Sequence, residues 1–530
     1  MKIENYIIKE LLKGKFFRIQ FVLSLCVIAI SCRNTTKTTK PNIIFIMADD
    51  HAYQAISAYD NKLIETPNID KIAQQGVLFQ RAFVTNSICG PSRATILTGK
   101  YSHINGFKDN DNYLFDGEQQ TLPKILQENG YETAIVGKWH LGSVPTGFDF
   151  WNILPDQGHY YQPSFIKMGR DTVYSGYVTD IITDQAIDWI KQNKSKPFFM
   201  MLHHKAPHRN WMPPLDYLTE FNDVRFPLPE NFYDDYNNRI AMQKQKLTIR
   251  NQMSVTYDNK VPCDTCAEDA VNHWVRDEWK REFGRLTPEQ KEIWEEKMKV
   301  EVEEFSKIKT KDDLLKWQFQ RYMEDYLRCI KSVDDNVGRV LDFLRKSGLD
   351  KNTIVVYTSD QGFYLGEHGL YDKRFMYEES FRTPLIISSP FTKNRGIQNA
   401  ELVMNLDFAP TILDFAGIKA PIDMQGVSMK PLLFGEKATN WRKEVYYHYY
   451  EKSFGMAKHY GIRTEKYKLI HFYDPIDCWE LYDLQVDSLE MNNLITDQNM
   501  QYVVEDLKIS LKELQEKYKD DMNSEIFPQK

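Results

Sequence analysis

Two short apolar runs in this chain end in carboxylates. Pro41 to Met47 stops at Ala48-Asp49-Asp50-His51, and Thr353 to Thr358 stops at Ser359-Asp360-Gln361-Gly362. Both runs are rich in β-branched residues and have the length of a buried parallel strand. They place Asp49, Asp50 and Asp360 at the carboxyl ends of strands, where open α/β sheets gather their ligands. Capping a helix is the other use for an acid at such a position, so each residue taken singly leaves both roles open. Sulfur supplies the next signal. Of the seven cysteines, Cys26 and Cys32 belong to the N-terminal leader, and Cys89, Cys263, Cys266, Cys329 and Cys478 remain, an odd set that cannot pair completely. Cys263 and Cys266 form a CxxC with no second CxxC and no His pair at zinc spacing, which reads as a local disulfide or as spare thiols. Cys89 is the thiol that requires an explanation.

These groups have to be held by a large framework. The chain has 530 residues, 42% apolar and 27% charged, ordinary values for a globular protein and enough for two domains around a large core. Its formal charge of −7 lacks the basic footprint of a nucleic-acid binder. Further short apolar runs at Glu132 to Gly137, Pro197 to His203 and Pro384 to Ser388 alternate with helical patterns. The expected fold is therefore α/β, a large mixed or parallel sheet flanked by helices over residues 41–440, with a largely solvated helical insertion at about 239–324. Strand-like alternation at Val445 to Tyr450 and Tyr467 to Tyr473, followed by a Lys- and Glu-rich helix, marks residues 441–530 as a smaller subdomain with an antiparallel sheet. Before all this, Lys9, Lys13, Lys15 and Arg18 precede the apolar stretch Phe21 to Ile30, the pattern of a secretory signal over residues 1–32, followed by a polar tether at 33–40. The leader ends in Ala29-Ile30-Ser31-Cys32, which resembles a bacterial lipobox with Ala where Leu is usual. Lipidation of Cys32 and ordinary signal cleavage both fit. The expectation is an exported protein of a Gram-negative bacterium, periplasmic or attached to the outer membrane as a lipoprotein.

The segment Ile88-Cys89-Gly90-Pro91-Ser92-Arg93, continued by Ala94 to Lys100, resembles the CxPxR motif of type I sulfatases of the alkaline-phosphatase superfamily. With the Asp49-Asp50 and Asp360-Gln361 segments in order around it, the likeness runs from about Pro41 to the C-terminus. It implies that a maturation enzyme converts Cys89 to formylglycine, whose hydrated diol attacks sulfur with one hydroxyl and expels sulfate with the other. It implies one calcium ion held by Asp49, Asp50, Asp360, Gln361 and residue 89; the sequence itself leaves magnesium open. Arg93 and Lys138 would hold formylglycine and sulfate oxygens. His140 would take the second hydroxyl's proton, and His208 and Lys373 would contact the leaving oxygen, with His208 as the general acid. His203 and His204 match no catalytic position and read as structural.

Several segments resemble a narrower group, carbohydrate sulfatases that remove 6-O-sulfate from N-acetylglucosamine: Ala48 to Ala52, Gly147 to Trp151 with Leu154 to Gly158, Lys205 to Trp211, and Gly366 to Arg374. The resemblance implies exo-acting hydrolysis of sulfated host glycans of heparan or heparin, keratan or mucin type, with Asp372, Arg374 and His459 reaching the sugar. A structural ion pair is the other use for Asp372 and Arg374. The alternatives are a sulfatase for another sugar sulfate such as a 2-sulfated uronic acid, a phosphonate or phosphate ester hydrolase of the same superfamily, and a glycan-binding lipoprotein with a degenerate site. The expected partners are the sulfated glycan substrate, the maturation enzyme and a membrane reached through an N-terminal lipid; nucleic acid is not expected.

Overall fold

The structure is a computed structural model that describes residues 40–111, 114–192, 195–263, 273–436 and 440–521. The leader, most of the tether and Cys266 lie outside these residues. Residues 41–530 form one compact unit. Its backbone is a ten-stranded sheet in the spatial order Ile397–Asn399, Gly76–Phe79, Leu385–Ser388, Thr353–Ser359, Asn42–Ala48, Phe198–His204, Glu132–Lys138, Phe150–Leu154, Ser164–Lys167 and Arg170–Val173. The five strands from Thr353–Ser359 to Phe150–Leu154 run parallel, while Leu385–Ser388 is antiparallel to its neighbours.

Side chains of the central strands alternate between two cores. Ile44, Ile46, Met200, Leu202, Val355 and Tyr357 join one cluster, and Ile43, Phe45, Phe199, Met201, Ile354 and Val356 join the other. Helices cover both faces, so the runs look continuously apolar in sequence although each obeys the period of two. One face packs on Val178–Gln192 and the long helix Lys311–Ser347, the other on Cys89–Thr98 and Phe408–Phe415.

Register decides what this sheet presents. Ala48 lies opposite Ser359 on one side and His204 on the other, and His203 lies opposite Gly137. The strand ends are therefore level. Asp49 and Asp50, Asp360 and Gln361, Lys138, and the turn that carries His208 all emerge along one edge.

The insertion differs from the expected solvated arm. Helices His273–Gly284 and Pro288–Ser306 are present, with Ile293 and Val300 exposed. The stretch before them is buried, with Met242, Leu247, Asp258 and Asn259 at 0% exposure. The expected boundary at residue 324 falls inside Lys311–Ser347, whose inner face, including Phe319, Tyr322 and Tyr326, packs in the main core. Ion pairs hold the segment inward: Asp258 pairs with Arg209 at 2.7 Å and Lys260 with Asp325 at 2.9 Å. Charge density in the sequence marked the outer helices and hid the buried strip between them and the sheet.

After residue 440 come four antiparallel strands, Glu444–Tyr449, Lys458–Thr464, Tyr467–Asp474 and Cys478–Asp483, then the helix Gln501–Tyr518. Their inner face shares a third core with Cys89, Tyr364, Phe375 and Tyr377. This sheet therefore backs the site directly. Cys263 is disulfide-bonded, while Cys89, Cys329 and Cys478 are free thiols. Among the described residues, no helix is long and apolar enough to cross a membrane.

Candidate active site

Cys89 opens the helix Cys89–Thr98, which is buried along its whole length. Ile88 before it is extended, and Pro91 stands in the first turn, where its missing N–H removes no intrahelical bond. Gly99 ends the helix at φ 64°, a left-handed conformation that favours glycine. Positions 89 and 93 are about one helical turn apart, so their side chains leave the same face. Gly90 is a close-approach position. A Cβ there would lie 2.5 Å from Asn110 Oδ1, which instead accepts the Gly90 N–H at 3.1 Å.

Arg93 ties this helix to the strand ends. Its Nε and Nη2 donate to Asp360 Oδ2 at 3.1 and 2.8 Å, and its Nη1 donates to the Lys138 carbonyl at 2.9 Å. The Ser92 hydroxyl donates to the Asp360 carbonyl. Lys138 pairs with Asp49 Oδ2 and donates to Gln157 Oε1 at 2.6 Å. Lys373 bridges both oxygens of Asp50, at 2.6 and 2.7 Å. Gln361 donates to Asp50 Oδ1.

The donor set fits a hard cation. Ligand atoms of Asp49, Cys89 and Asp360 lie within 4.8 Å of one another, all buried. Asp49 Oδ1 and Gln361 Oε1, both buried, accept no hydrogen bond among the described residues. Burial and the neighbouring Asp49 and Asp360 carboxylates push Asp50 well above the usual range despite Lys373. Burial and Asp49 likewise raise Asp360 against the pull of Arg93. Burial also disfavours the charged form of Asp49, but Lys138 and the nearby cations outweigh it and hold that carboxyl well below its ordinary value. Three buried carboxylates competing for positive charge, with oxygens left over, are what a divalent ion bound by carboxylate and amide oxygens would satisfy.

Two histidines flank the cluster. His140, at φ 54°, accepts from Gln157 Nε2 at its Nε2, 2.8 Å away. Burial and the charge of Lys138 lower its pKa. His208 lies within 2.7 Å of the Arg209 carbonyl through Nδ1, so Nδ1 carries the proton and Nε2 points toward Asp50 Oδ2 at 3.7 Å. Burial and Lys138 hold it well below the ordinary histidine range. Lys373 behaves oppositely: burial opposes its charge, but Asp50 and the other acids keep it firmly protonated. His203 and His204 are buried in the strand beneath, and His203 Nδ1 contacts the Lys138 carbonyl at 3.1 Å.

Above the cluster opens a cavity of about 280 Å³ lined by Asp50, Cys89, His208, Lys373, Asp372, Arg374 and further residues that include Asn110, Gln157, Arg209 and Phe454. Asp372 and Arg374 have φ of 77° and 103°, strained for side-chain-bearing residues, and such strain concentrates at ligand sites. Burial pushes Asp372 up, but Arg374, Lys373 and Arg209 outweigh it and keep it ionised. The Asp372 to Arg374 contact is loose, at 3.8 Å, whereas Arg374 Nη1 donates to Glu451 Oε2 at 2.8 Å and its guanidinium lies 4.8 Å from the centre of the Phe454 ring. Glu451 also accepts the Asn110 N–H at 3.0 Å, linking the nucleophile helix, the rim and the C-terminal sheet.

Of the residues expected from sequence, the metal and catalytic sets converge here, as do Asp372 and Arg374. His459 is a correction. It is 0% exposed and is absent from the cavity wall. Its Nδ1 bonds the Ala457 carbonyl at 2.8 Å, and its ring packs among Phe375, Tyr447, Tyr449 and Phe472. Its strand position faces the core, where it packs on Tyr449, whose hydroxyl accepts from Arg374 Nη1 at 3.2 Å. Sequence reasoning missed Gln157, Arg209, Asn110, Glu451 and Phe454. The first two sit inside segments that stood out, Leu154 to Gly158 and Lys205 to Trp211, but no spacing singled them out.

Residues 41–418 match the sulfatase family model. The chain belongs to the sulfatase family. Residues 366–517 of the sulfatase also match the model for the C-terminal region of N-sulphoglucosamine sulphohydrolase. The sulfatase is 48% identical over 503 residues to an N-acetylglucosamine-6-O-sulfatase of Bacteroides thetaiotaomicron, covering 92% of this chain and 89% of the relative. It is 27% identical to the human N-acetylglucosamine-6-sulfatase, over 78% of this chain and 68% of that one. A solved structure described as a complex with its substrate D-glucosamine-2-N,6-O-disulfate superposes with a TM-score of 0.88 at 46% identity, covering 93% of this chain and all of the other. The sulfatase hydrolyses carbohydrate sulfate esters, as this family membership and these matches together support.

Proposed function

We propose that the enzyme removes 6-O-sulfate from terminal N-acetylglucosamine of sulfated host glycans, with Cys89 in its formylglycine form and one calcium ion held by Asp49, Asp50, Asp360, Gln361 and residue 89. The observation that carries the substrate reading is the 48% identity to a relative of that activity, and the solved neighbour's 6-O-sulfated glucosamine substrate agrees with it. A cavity of about 280 Å³ is smaller than the roughly 300–1,000 Å³ of drug-sized sites, which suits one terminal sugar.

When present, the hydrated aldehyde supplies a nucleophile that can also expel sulfate, and the divalent ion eases its ionisation and offsets sulfate charge. Arg93 and Lys138, fixed by Asp360 and Asp49, hold donors beside Cys89 where sulfate oxygens gather charge. His140, kept neutral by burial and Lys138, is the group able to accept a proton on that side. On the other side, Lys373 stays charged and stabilises the leaving oxygen. His208 presents Nε2 to that side, its Nδ1 proton being committed to the Arg209 carbonyl; because burial favours its neutral form, it serves as general acid only after Nε2 takes up a proton from solvent, which it then passes to the leaving oxygen. Beyond the sulfate, the Asp372 carboxylate accepts sugar hydroxyls.

Turnover of 6-sulfated N-acetylglucosamine by wild type, absent in Cys89→Ala, is the expected result. Preference for 2- or 4-sulfated sugars would refute the substrate while leaving the sulfatase in place. Mass spectrometry of the peptide containing residue 89 reads the conversion by the maturation enzyme directly. We also propose an exported lipoprotein anchored through Cys32, supported by the basic and apolar leader; labelled palmitate should enter wild type and not Cys32→Ala.

A further inference from the structure

Arg209 follows the general acid His208, lines the same cavity, and has no role in the reaction just described. It is held with unusual care. Its Nε and Nη2 fork onto Asp258 at 2.7 Å to each oxygen, and its guanidinium packs 5.3 and 5.4 Å from the ring centres of Tyr257 and Tyr371. Asp258 is fixed in turn, its Oδ2 accepting the Ser254 N–H at 2.7 Å. Lys260, paired with Asp325, donates to the Asp258 carbonyl at 2.8 Å. The buried strip of the insertion therefore converges on one guanidinium.

That guanidinium keeps a free end. Two of its three nitrogens are spent on Asp258, and among the described residues Nη1 has no partner. The side chain retains 15% exposure and faces the cavity that it lines. Arginine only donates, so its ligand atom has to be an acceptor. The neighbouring Asp372 carboxylate only accepts and is suited to hydroxyl donors. Because Asp258 already neutralises Arg209, the free N–H groups suit a neutral carbonyl oxygen as well as an anionic one. On an N-substituted glucosamine 6-sulfate, the strongest acceptor oxygens other than those of the scissile sulfate belong to the group on the amino nitrogen.

We propose that Arg209 is a specificity-determining residue whose Nη1 donates to an acyl or sulfonyl oxygen on the substrate's amino nitrogen, with Asp258 as its positioning residue. This rests on the 6-O-sulfatase reading and deepens it. The experiment measures kcat/KM for 6-sulfated N-acetylglucosamine, 6-sulfated N-sulfoglucosamine and 6-sulfated glucose, which carries a hydroxyl in place of the substituted nitrogen. Wild type should favour the N-substituted sugars by about tenfold or more, chiefly through KM. In Arg209→Met that preference should collapse to about threefold or less, and Asp258→Asn should narrow it in the same direction. Arg209→Lys keeps the charge opposite Asp258 and so guards the fold, but it loses the fork, and it should lose the preference too. The two N-substituted sugars separate an acyl from a sulfonyl ligand. A folded Arg209→Lys or Arg209→Met enzyme with the wild-type preference overturns the proposal, and so does a wild type that turns over the glucose ester equally well, with the 6-O-sulfatase reading intact. Turnover of none of the three by wild type overturns both.

Discussion

The floor and the rim of the cavity are built in different ways. The floor is made of strand ends: Asp49 with Asp50, Lys138, and Asp360 with Gln361 follow strands whose register brings them level, and one short helix adds Cys89 and Arg93. The rim is assembled from pieces far apart in the chain. Arg374 is held by Glu451, Asn110 by that same Glu451, and Arg209 by Asp258 from the insertion. On the proposed function, the difference teaches that reaction chemistry is secured by the sheet itself, whereas sugar recognition would depend on side chains that reach across segments and are free to change without disturbing the sheet.

The largest expected effects test the floor. Cys89→Ala and Asp360→Ala should each reduce kcat by about a thousandfold or more, because each removes a group the reaction uses; Cys89→Ala should leave the unfolding transition near its wild-type position, whereas Asp360→Ala also unpairs the buried Arg93 and should lower it. Near-normal turnover in either would break the claim that the floor does the chemistry. Next comes His208→Ala, at the boundary between the two regions. It should cost roughly 10²–10⁴ on sugar sulfates and far less on nitrophenyl sulfate, whose phenolate leaves unaided. Equal losses on both would assign the proton to Lys373 or to water. Within the rim, Asp372→Ala should lower kcat/KM for 6-sulfated N-acetylglucosamine by about ten- to hundredfold, with a smaller loss on an aryl sulfate. Glu451→Gln, which removes the charge from the shared anchor of Arg374 and Asn110, should raise KM by a few-fold at most.

The smallest effect is on stability and lies behind the rim. Burial lifts the Glu480 carboxyl to about 7, although Tyr377 and Tyr482 donate to it at 2.6 and 2.8 Å. In the unfolded chain its pKa is near 4.3, so between those values the folded state binds the extra proton and stability falls as pH rises. Glu480→Gln should therefore raise the midpoint of thermal unfolding at pH 8 and change it little at pH 4.5. A variant without gain at pH 8 would show that the carboxylate is better solvated than its burial implies.

How much of this could be read from the sequence follows the same division. Strand runs broken by carboxylates, and a cysteine one helical turn from an arginine, are local patterns, so the floor and the α/β sheet were legible. The C-terminal sheet was legible through its alternating tyrosines. His459 was not placed correctly, because a residue's side of a strand depends on register against Phe472 and Tyr449, which no local pattern encodes. Glu451 and Asp258 carry no local signal at all. Each is one acid among many until the fold sets it against an arginine. The insertion misled for a related reason: its charged outer helices dominate composition, while the buried strip around Asp258 looks like an ordinary polar loop.

One feature of the floor bears on the order of events in the enzyme's life. Cys89 is 2% exposed, at the start of a helix buried on every side and crossed by the Arg93 and Ser92 bonds to Asp360. An oxidising enzyme that must grip the peptide around this cysteine would have to pull that helix out of a finished core. Under the proposed conversion of Cys89 to formylglycine, maturation would have to meet the chain while it is still open, and folding would close the window. On that proposal a molecule that folds first would keep its thiol, so the fraction of active enzyme would be set by a race between modification and folding.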